Sequence, residues 1–278
     1  MKRKTIKLAI ANPKGGVGKS TASANISAVA AMKGLRTLLI DLDPQGSASY
    51  LSGVDVAGDR NAGAMFRDNP SLPSVLTYQT KFGYDVLPAG PGLIQAEDWL
   101  HNATLGENKL RRLLMKDPAL EQYNFIVFDT AGFKGRLLDS ALIACTDVLI
   151  PGEASVLTLN EIPEFYEMIN HISEVREGVG EAPLTVKGLV FNKVREGTSA
   201  VEKAIMQALE ALEFLNETSQ QKMNALSTFI PISNAIEEAG FARKPVVVMR
   251  PKEKVSIRYN ELFDELFAKE NEADVCPV

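Results

Sequence analysis

Short apolar runs alternate with longer segments of mixed polarity along most of this chain. Several of the runs are nearly continuous in β-branched and aliphatic residues, which is typical of parallel strands that are covered on both faces. These runs predict strands at residues 6–11, 37–41, 84–88, 125–128, 148–151, 186–192 and 228–231.

The segments between the runs repeat their apolar residues at the spacing of an α-helix. They predict helices at residues 20–33, 108–115, 135–144, 159–176, 199–214 and 257–269. Strands that alternate with helices pair in parallel through right-handed crossovers. The sequence therefore predicts an α/β fold with a doubly wound, mostly parallel sheet.

Residues 46–83 interrupt this alternation. They are rich in Gly, Ser, Asp and Pro, with one short helix predicted near residues 61–66. An excursion of this length is either a functional, partner-facing segment or a plain surface loop. No linker divides the rest, so we expect residues 1–278 to form a single domain with an irregular excursion at 46–83.

The composition narrows the class of protein. A chain of 278 residues can bury one large core, and 45% hydrophobic with 23% charged residues is typical of globular proteins. No apolar run approaches the ~20 residues of a membrane span. Two cysteines are too few for a disulfide framework, which favours a reducing, cytoplasmic setting. The net charge of −5 disfavours general polyanion binding, although a local basic patch would still allow it.

The clearest motif follows the first predicted strand, where residues 12–21 read Asn-Pro-Lys-Gly-Gly-Val-Gly-Lys-Ser-Thr. The motif ends in the Gly-Lys-Ser/Thr of a phosphate-binding P-loop and lies between a strand and a helix, as that loop requires. Glycines let backbone N–H groups converge on phosphate oxygens, and the helix N-terminus adds a favourable dipole. The predicted nucleotide-binding residues are Lys14, Gly15, Gly16, Val17, Gly18, Lys19, Ser20 and Thr21.

Individual roles follow from the chemistry of this loop. Lys19 is expected to neutralise charge on the β- and γ-phosphates, and the Ser20 hydroxyl to ligate Mg²⁺. Lys14 stands where the general pattern has a glycine, which places a second cation beside the phosphates.

Carboxylates end two of the other predicted strands. Asp41 and Asp43 close the second strand and point the same way, because alternate strand residues share a face. Asp129 follows the apolar run at 125–128 in a Walker B arrangement, in which a carboxylate holds Mg²⁺ directly or through water. In an open α/β sheet this edge faces the ligand.

The run at 14–21 resembles the deviant Walker A motif of the ParA/MinD/Soj superfamily, and Asp-Leu-Asp-Pro-Gln-Gly at 41–46 is similar to the first switch of ParA-type partition proteins. The resemblance implies a Mg²⁺-dependent ATPase that is slow without its partner. It also implies a homodimer that sandwiches ATP, in which Lys14 reaches the phosphates of the other subunit. Asp43 would position the attacking water and Asp41 would lie in the outer shell of Mg²⁺. Thr130-Ala131-Gly132 departs from the family's usual Thr-Pro-Pro at the second switch.

The base is expected to be adenine. Residues 129–132 also match the Asp-x-x-Gly of GTPases, but guanine recognition needs a carboxylate where this chain has Arg195, which can only donate hydrogen bonds. The matching family position makes Asn192 a candidate for the adenine amine. Residues 229–232, which include Pro231, resemble the segment that flanks the adenine ring.

Within the superfamily the chain looks like the short, Soj-like form, because its P-loop begins at residue 14. A nitrogenase-like iron protein needs paired cysteines that this chain lacks. A MinD-like lipid anchor needs a basic amphipathic C-terminus, whereas residues 261–267 are acidic, and their Leu/Phe stripe predicts core packing. We therefore expect no stable membrane association.

A ParA/Soj-type protein is expected to partition plasmid or chromosomal DNA. The resemblance implies non-specific DNA binding by the ATP-bound dimer, association with the nucleoid, and a ParB-like partner that stimulates hydrolysis. The basic residues that often follow Ile-Pro in the family are absent here. The candidate DNA-binding residues lie further on and are Arg243, Lys244, Arg250, Lys252, Lys254 and Arg258.

Two other functions remain open. One is a ParA-type ATPase that positions a protein cargo, for which the sequence would look the same. The other is a metabolic P-loop ligase or kinase, and Lys14 speaks against it.

Overall fold

A computed structural model describes residues 5–55, 58–219 and 221–272, without the side chains of 156–160 and 268–272. The described residues form one seven-stranded sheet in the order β3-β4-β2-β5-β1-β6-β7. All neighbours are parallel except β3, which is antiparallel to β4. The strands are β1 Ile6–Ile10, β2 Thr37–Asp41, β3 Tyr78–Gln79, β4 Asp85–Leu87, β5 Phe125–Asp129, β6 Asp147–Glu153 and β7 Thr185–Asn192.

Helices connect the strands and cover the sheet. The α-helices are α1 Lys19–Met32, α2 Ser47–Leu51, α3 Gly92–Asn102, α4 Lys109–Lys116, α5 Arg136–Ala144, α6 Val156–Gly178, α7 Ser199–Thr218, α8 Asn234–Phe241, α9 Val246–Met249 and α10 Lys254–Glu272. Short 3₁₀ turns are found at Ala62–Met65, Pro73–Leu76, Gly106–Asn108 and Pro118–Gln122.

The sheet is buried on both faces because its strands alternate their apolar residues between two cores. Leu38 and Ile40 of β2 belong to the core that is shared with α3 to α7. Leu39, between them, belongs to the core that is shared with α1 and with α8 to α10. This arrangement confirms the predicted doubly wound α/β fold.

The C-terminal helix α10 is held to the sheet by aromatic side chains. The ring of Phe125 in β5 lies 5.7 Å from that of Phe263 and 5.2 Å from that of Phe267, in edge-to-face geometry. Leu262 and Leu266 are buried beside them. The Leu/Phe stripe is therefore core packing, as the sequence indicated. No helix in the described ranges is long and apolar enough to cross a membrane.

The strand predicted at residues 228–231 is wrong. Pro231 makes an isolated bridge to Val194, and residues 228–230 belong to no strand. The Ile230 N–H donates to the Phe191 carbonyl at 2.8 Å, so this segment follows the end of β7 without forming a continuous ladder. Pro231, which has no N–H to donate, lies within this apolar run and interrupts a possible ladder.

Helices α2, α3, α8 and α9 were not predicted from the pattern. In α3 the apolar residues Leu93, Ala96 and Leu100 have helical spacing, but the preceding Pro-Ala-Gly-Pro-Gly at 88–92 is typical of a loop. The excursion at 46–83 contains α2, two 3₁₀ turns and β3, with the turn at Ala62–Met65 where a short helix was predicted. Its Met65 and Phe66 are buried in the core, so this segment is packed against the domain.

Removal of the Phe263 ring should destabilise the fold. Phe263 is 2% exposed, and F263A should lower the free energy of unfolding by about 3–4 kcal/mol through lost burial and a residual cavity. Ile257 on the same helix is 47% exposed, and I257A should change it by less than about 0.5 kcal/mol. Urea unfolding followed by circular dichroism measures both, and equal losses would contradict this account of α10.

Candidate nucleotide site

Three parallel strands end side by side at the centre of the sheet. Asp129, the last residue of β5, is in register with Ile10 of β1 on one side and Asp41 of β2 on the other. The P-loop follows β1 directly. The strand pairing therefore brings the loop and two carboxylates to one point at the carboxyl edge, where ligands of such sheets bind.

The P-loop is closely packed at its last glycine. Gly18 has φ 90°, and a Cβ there would lie 2.0 Å from Nδ2 of Asn192, so no other residue fits. Asn192 Nδ2 donates to the Val17 carbonyl at 2.7 Å, and its Oδ1 accepts from the Lys193 N–H at 2.9 Å. Asn192 thus ties the loop to β7. A contact of Asn192 or the nearby Pro231 with adenine stays a prediction.

The beginning of the loop is anchored by Asn12, which was not predicted as a site residue. Its Nδ2 donates to the Pro151 carbonyl at 2.8 Å, and its Oδ1 accepts from the Lys14 N–H at 2.8 Å. The Lys14 amine forms an ion pair with Glu161 of α6 at 2.9 Å. The backbone of the loop is fixed to β6, and its first lysine is engaged within its own subunit.

Lys19 points inward and is 5% exposed. Its Nζ donates to the Lys14 carbonyl at 2.7 Å, which folds the side chain back over the loop. Burial lowers the pKa of Lys19, and the charges of Asp129 and then Asp43 oppose that shift. The lysine is thus a desolvated cation that faces acidic groups, and added phosphate oxygens would favour its charged form.

Asp129 is fully buried and incompletely satisfied. Its Oδ1 accepts from the Ser23 hydroxyl at 2.8 Å, whereas its Oδ2 has no hydrogen-bond partner among the described residues. Burial first and the charge of Asp41 second raise its pKa, while the nearby hydroxyls of Ser20 and Ser23 lower it. Ser23 lies one turn after Ser20 on α1, a helical spacing that marks a shared face.

Asp41 is also fully buried but well bonded. Its Oδ2 accepts from the Ser49 N–H at 2.8 Å and from the Ser49 hydroxyl at 2.7 Å, and its Oδ1 accepts from the Asp43 N–H at 3.1 Å. Burial raises the pKa of Asp41 to about 6 despite these bonds. Ser49 lies on α2, which was not predicted, so nothing in the sequence pattern pointed to it.

These residues fit a magnesium ion. Mg²⁺ in nucleotide sites is held by one or two carboxylates and hydroxyls together with phosphate oxygens and water. Asp129 offers a buried oxygen without a partner, and the Ser20 hydroxyl lies beside the same carboxylate. No cluster of three or more His, Cys, Asp or Glu side chains suited to a metal occurs in the described ranges. A metal here would thus depend on the nucleotide for its remaining ligands.

An open cavity of about 530 Å³ lies over the loop. Asp43 projects into it from the turn after β2, where its Oδ1 also accepts from the Gln45 N–H at 2.9 Å. Most of the predicted P-loop residues line this cavity. Its lining residues are Gly15, Gly16, Gly18, Lys19, Ser20, Thr21, Asp43, Pro44, Gln45, Ser47, Leu51, Gly132, Phe133 and Lys193.

The segment after β5, which resembles the family's second switch except at Ala131-Gly132, lies directly against the P-loop. A Cβ on Gly132 would lie 2.9 Å from the Gly15 Cα and 3.2 Å from the Lys19 amine, so glycine is required. The Thr130 hydroxyl donates to the Ile10 carbonyl at 2.9 Å and fixes the preceding turn. In the sequence, this glycine is the last residue of the Asp-x-x-Gly pattern at 129–132.

The predicted DNA-binding residues are largely paired with acids. Lys244 and Lys252 have no ion-pair partner within the part of the chain that the structure describes. The other four form the pairs Arg243–Asp55, Arg250–Glu238, Lys254–Glu196 and Arg258–Glu261. These acids reduce the positive potential that this region would otherwise present.

Fold and site together define a P-loop nucleotide-binding protein whose phosphate loop carries an additional lysine. A family model described as an AAA domain matches residues 4–179. The chain belongs to that family, within the ParA/MinD superfamily of partition ATPases.

Similar proteins agree with this assignment. The chromosome-partitioning ATPase Soj of Thermus thermophilus is 28% identical over 273 residues, which cover 98% of this chain and 100% of Soj. Apo McdA of Cyanothece superposes with a TM-score of 0.78 at 19% identity, covering 95% of this chain and 100% of McdA, and shows the same fold.

A third similar protein was solved with bound nucleotide. Cobyrinic acid a,c-diamide synthase of Mycobacterium smegmatis, with an ATP analogue and magnesium, superposes with a TM-score of 0.78 at 25% identity and covers 99% of both chains. Its bound groups agree with the ATP and Mg²⁺ predicted from the sequence.

Binding of Mg²⁺ with ATP should release protons near neutral pH. Burial raises the pKa of Asp41 to about 6 and raises that of Asp129, so a cation that favours the ionised form of the pair should displace protons from it. Titration calorimetry in two buffers of different ionisation enthalpy measures this release. Release should decrease toward pH 8, and Mg²⁺ affinity should weaken toward pH 6.

The matched control is D129N, which should bind nucleotide without the magnesium-linked proton release. A wild-type protein that releases no protons anywhere between pH 6 and pH 8 would contradict the assignment of this pair.

Proposed function

We propose that this chain is an ATP-driven partitioning switch, which dimerises around ATP, binds DNA non-specifically as the dimer, and returns to the monomer after hydrolysis stimulated by a ParB-like partner. The observation that carries the proposal is the pair of lysines on one loop. Lys19 lies inside the cavity of its own subunit, whereas the Lys14 amine meets Glu161 outside the cavity lining. A second copy facing this edge would give Lys14 a phosphate to contact.

Each residue then has a defined task. Lys19 and the partner copy's equivalent of Lys14 stabilise charge on the transferring phosphoryl group. Ser20 and Asp129 hold Mg²⁺, which supplies further charge neutralisation at the phosphates, and Asp41 supports it from the outer shell. Asp43, at the cavity, orients the attacking water. Turnover is slow in isolation because one of the two cations comes from another subunit.

A function on DNA is supported by the similarity of this chain to a chromosome-partitioning ATPase. The surface itself contributes Lys244 and Lys252, which have no acidic partner among the described residues, near four basic residues that do. A function in which a protein cargo is positioned requires the same nucleotide switch. A salt-sensitive interaction with random duplex DNA in the ATP state favours DNA partitioning, and its absence favours a protein cargo.

A metabolic ligase is the second candidate, because one structural neighbour is named a diamide synthase. It would form a substrate-dependent product in addition to ADP and phosphate. A ligase would also have no evident use for the additional lysine at the start of the P-loop, Lys14. The partitioning switch is favoured for that reason.

The two lysines and Asp43 should separate binding, dimerisation and turnover. K14A should bind ATP yet stay monomeric, whereas K19A should lose ATP binding. D43A should dimerise with ATP, and its turnover should decrease by about 100-fold because water is no longer oriented. Sedimentation velocity with Mg²⁺ and saturating ATP measures the dimer, and phosphate release measures turnover.

The matched control is K33A, because the Lys33 side chain is exposed to a similar degree (35% against 31% for Lys14) and forms an ion pair with Asp264 away from the cavity. It should dimerise like wild type. A D43A protein that stays monomeric with saturating ATP would rule out the sandwich dimer.

DNA binding in the ATP state should depend on Lys244 and Lys252. Each phosphate contact contributes about 0.9 to the slope of log affinity against log salt, so K244A and K252A should each lower the slope by about that amount. Fluorescence anisotropy of D43A with random duplex DNA across a series of KCl concentrations measures the slope. K203A, on the exposed side of α7, is the control, and an equal effect there would locate the DNA surface elsewhere.

A further inference from the structure

Glu161, near the start of α6, contacts the first lysine of the P-loop. Its Oε1 lies 2.9 Å from the Lys14 amine, and the two side chains are 22% and 31% exposed. The pair is therefore more protected from solvent than an ordinary surface ion pair. Lys14 is held at its own subunit by a contact that no motif predicted.

The second oxygen of Glu161 makes the pair costly to separate. Glu161 Oε2 is buried and has no hydrogen-bond partner among the side chains that the structure describes. Lys14 is thus the group that compensates the partly desolvated carboxylate. When a lysine leaves such a carboxylate, the remaining charge is uncompensated and destabilising.

A neighbouring pair on the same helix provides a natural comparison. Glu164, one turn further along α6, binds Lys134 at 2.8 Å with side chains that are 53% and 62% exposed. Both pairs join a glutamate of α6 to a lysine beside the cavity, in the P-loop or just after Gly132. They differ in burial and in the lysine that they hold.

We propose that Glu161 is an intramolecular restraint on Lys14, and that dimerisation requires Lys14 to exchange this carboxylate for phosphate oxygens across the interface. The inference rests on the proposed function, since it concerns the same lysine. Glu161 acts through Lys14 and is a positioning residue. It shifts the nucleotide-free and ADP-bound protein toward the monomer, and ATP overcomes it because the triphosphate offers a stronger anion.

The size of the effect follows from symmetry. A two-fold dimer must break two such pairs, and a pair of this exposure changes an equilibrium by a factor of about three. E161Q removes the charge but keeps the shape of the side chain. It should lower the dissociation constant of the ATP-bound dimer by about tenfold, and E164Q should leave it within about twofold of wild type.

The test is sedimentation velocity at a series of protein concentrations, with Mg²⁺ and a non-hydrolysable ATP analogue, on wild type, E161Q, E164Q, K14A and the double variant K14A/E161Q. The inference predicts a stronger dimer for E161Q, no change for E164Q, and no gain from E161Q once Lys14 is absent. A wild-type dimer with E161Q equal or weaker overturns the restraint but leaves the sandwich dimer intact. Monomers for wild type and E161Q at every concentration overturn both.

A second measurement, on the wild-type protein, tests the restraint even if E161Q does not fold. Amine-reactive labelling followed by mass spectrometry reports how accessible each lysine is in the nucleotide-free state. Lys14 should react several-fold more slowly than Lys134, and in folded E161Q this protection should be lost. Equal labelling of Lys14 and Lys134 in wild type would overturn the restraint.

Discussion

The burial of charged side chains at the carboxyl ends of the central strands is the constraint on which the nucleotide site depends. The pairing of β2 with β5 places Asp41 and Asp129 side by side, both without solvent access, and the loop after β1 adds Lys19 to the same region. A single buried cation next to two carboxylates leaves one negative charge poorly compensated. Burial is the main reason why the pKa values of both acids are raised, and the charge of Asp41 raises that of Asp129 further. A divalent ion with a nucleotide relieves the charge imbalance, so the apo site is preorganised for a ligand that brings charge of both signs.

Much of this site was predictable because it depends on local rules. The strand–loop–helix setting fixes the P-loop, and the carboxyl ends of parallel strands fix Asp41 and Asp129. The contacts of Ser49, Asn12 and Glu161 could not be predicted, because each depends on how elements distant in sequence pack. The wrong strand at 228–231 has a similar cause, since an apolar run gives no information on whether a ladder partner is in register.

The C-terminal region shows how tertiary context changes the meaning of a charge pattern. A cluster of basic residues predicts attraction to polyanions, yet three of the six members of this cluster have an acidic partner from another segment. Arg243 also stacks on the ring of Tyr50, 4.7 Å from its centroid. The guanidinium joins the turn after α8 to α2, which follows the first switch. Part of the cluster therefore stabilises contacts around the nucleotide site.

The two ends of the sheet differ from its centre in a way that restricts assembly. On one side the outermost strand is the two-residue β3, and on the other the segment at 225–231 lies along β7 through isolated bridges. Neither border offers a long row of unpaired amides and carbonyls to another polypeptide. Copies of this protein are thus kept from joining by sheet extension, which would align them without regard to bound nucleotide. The sandwich dimer proposed above uses instead the loops at the carboxyl edge, which line the nucleotide cavity.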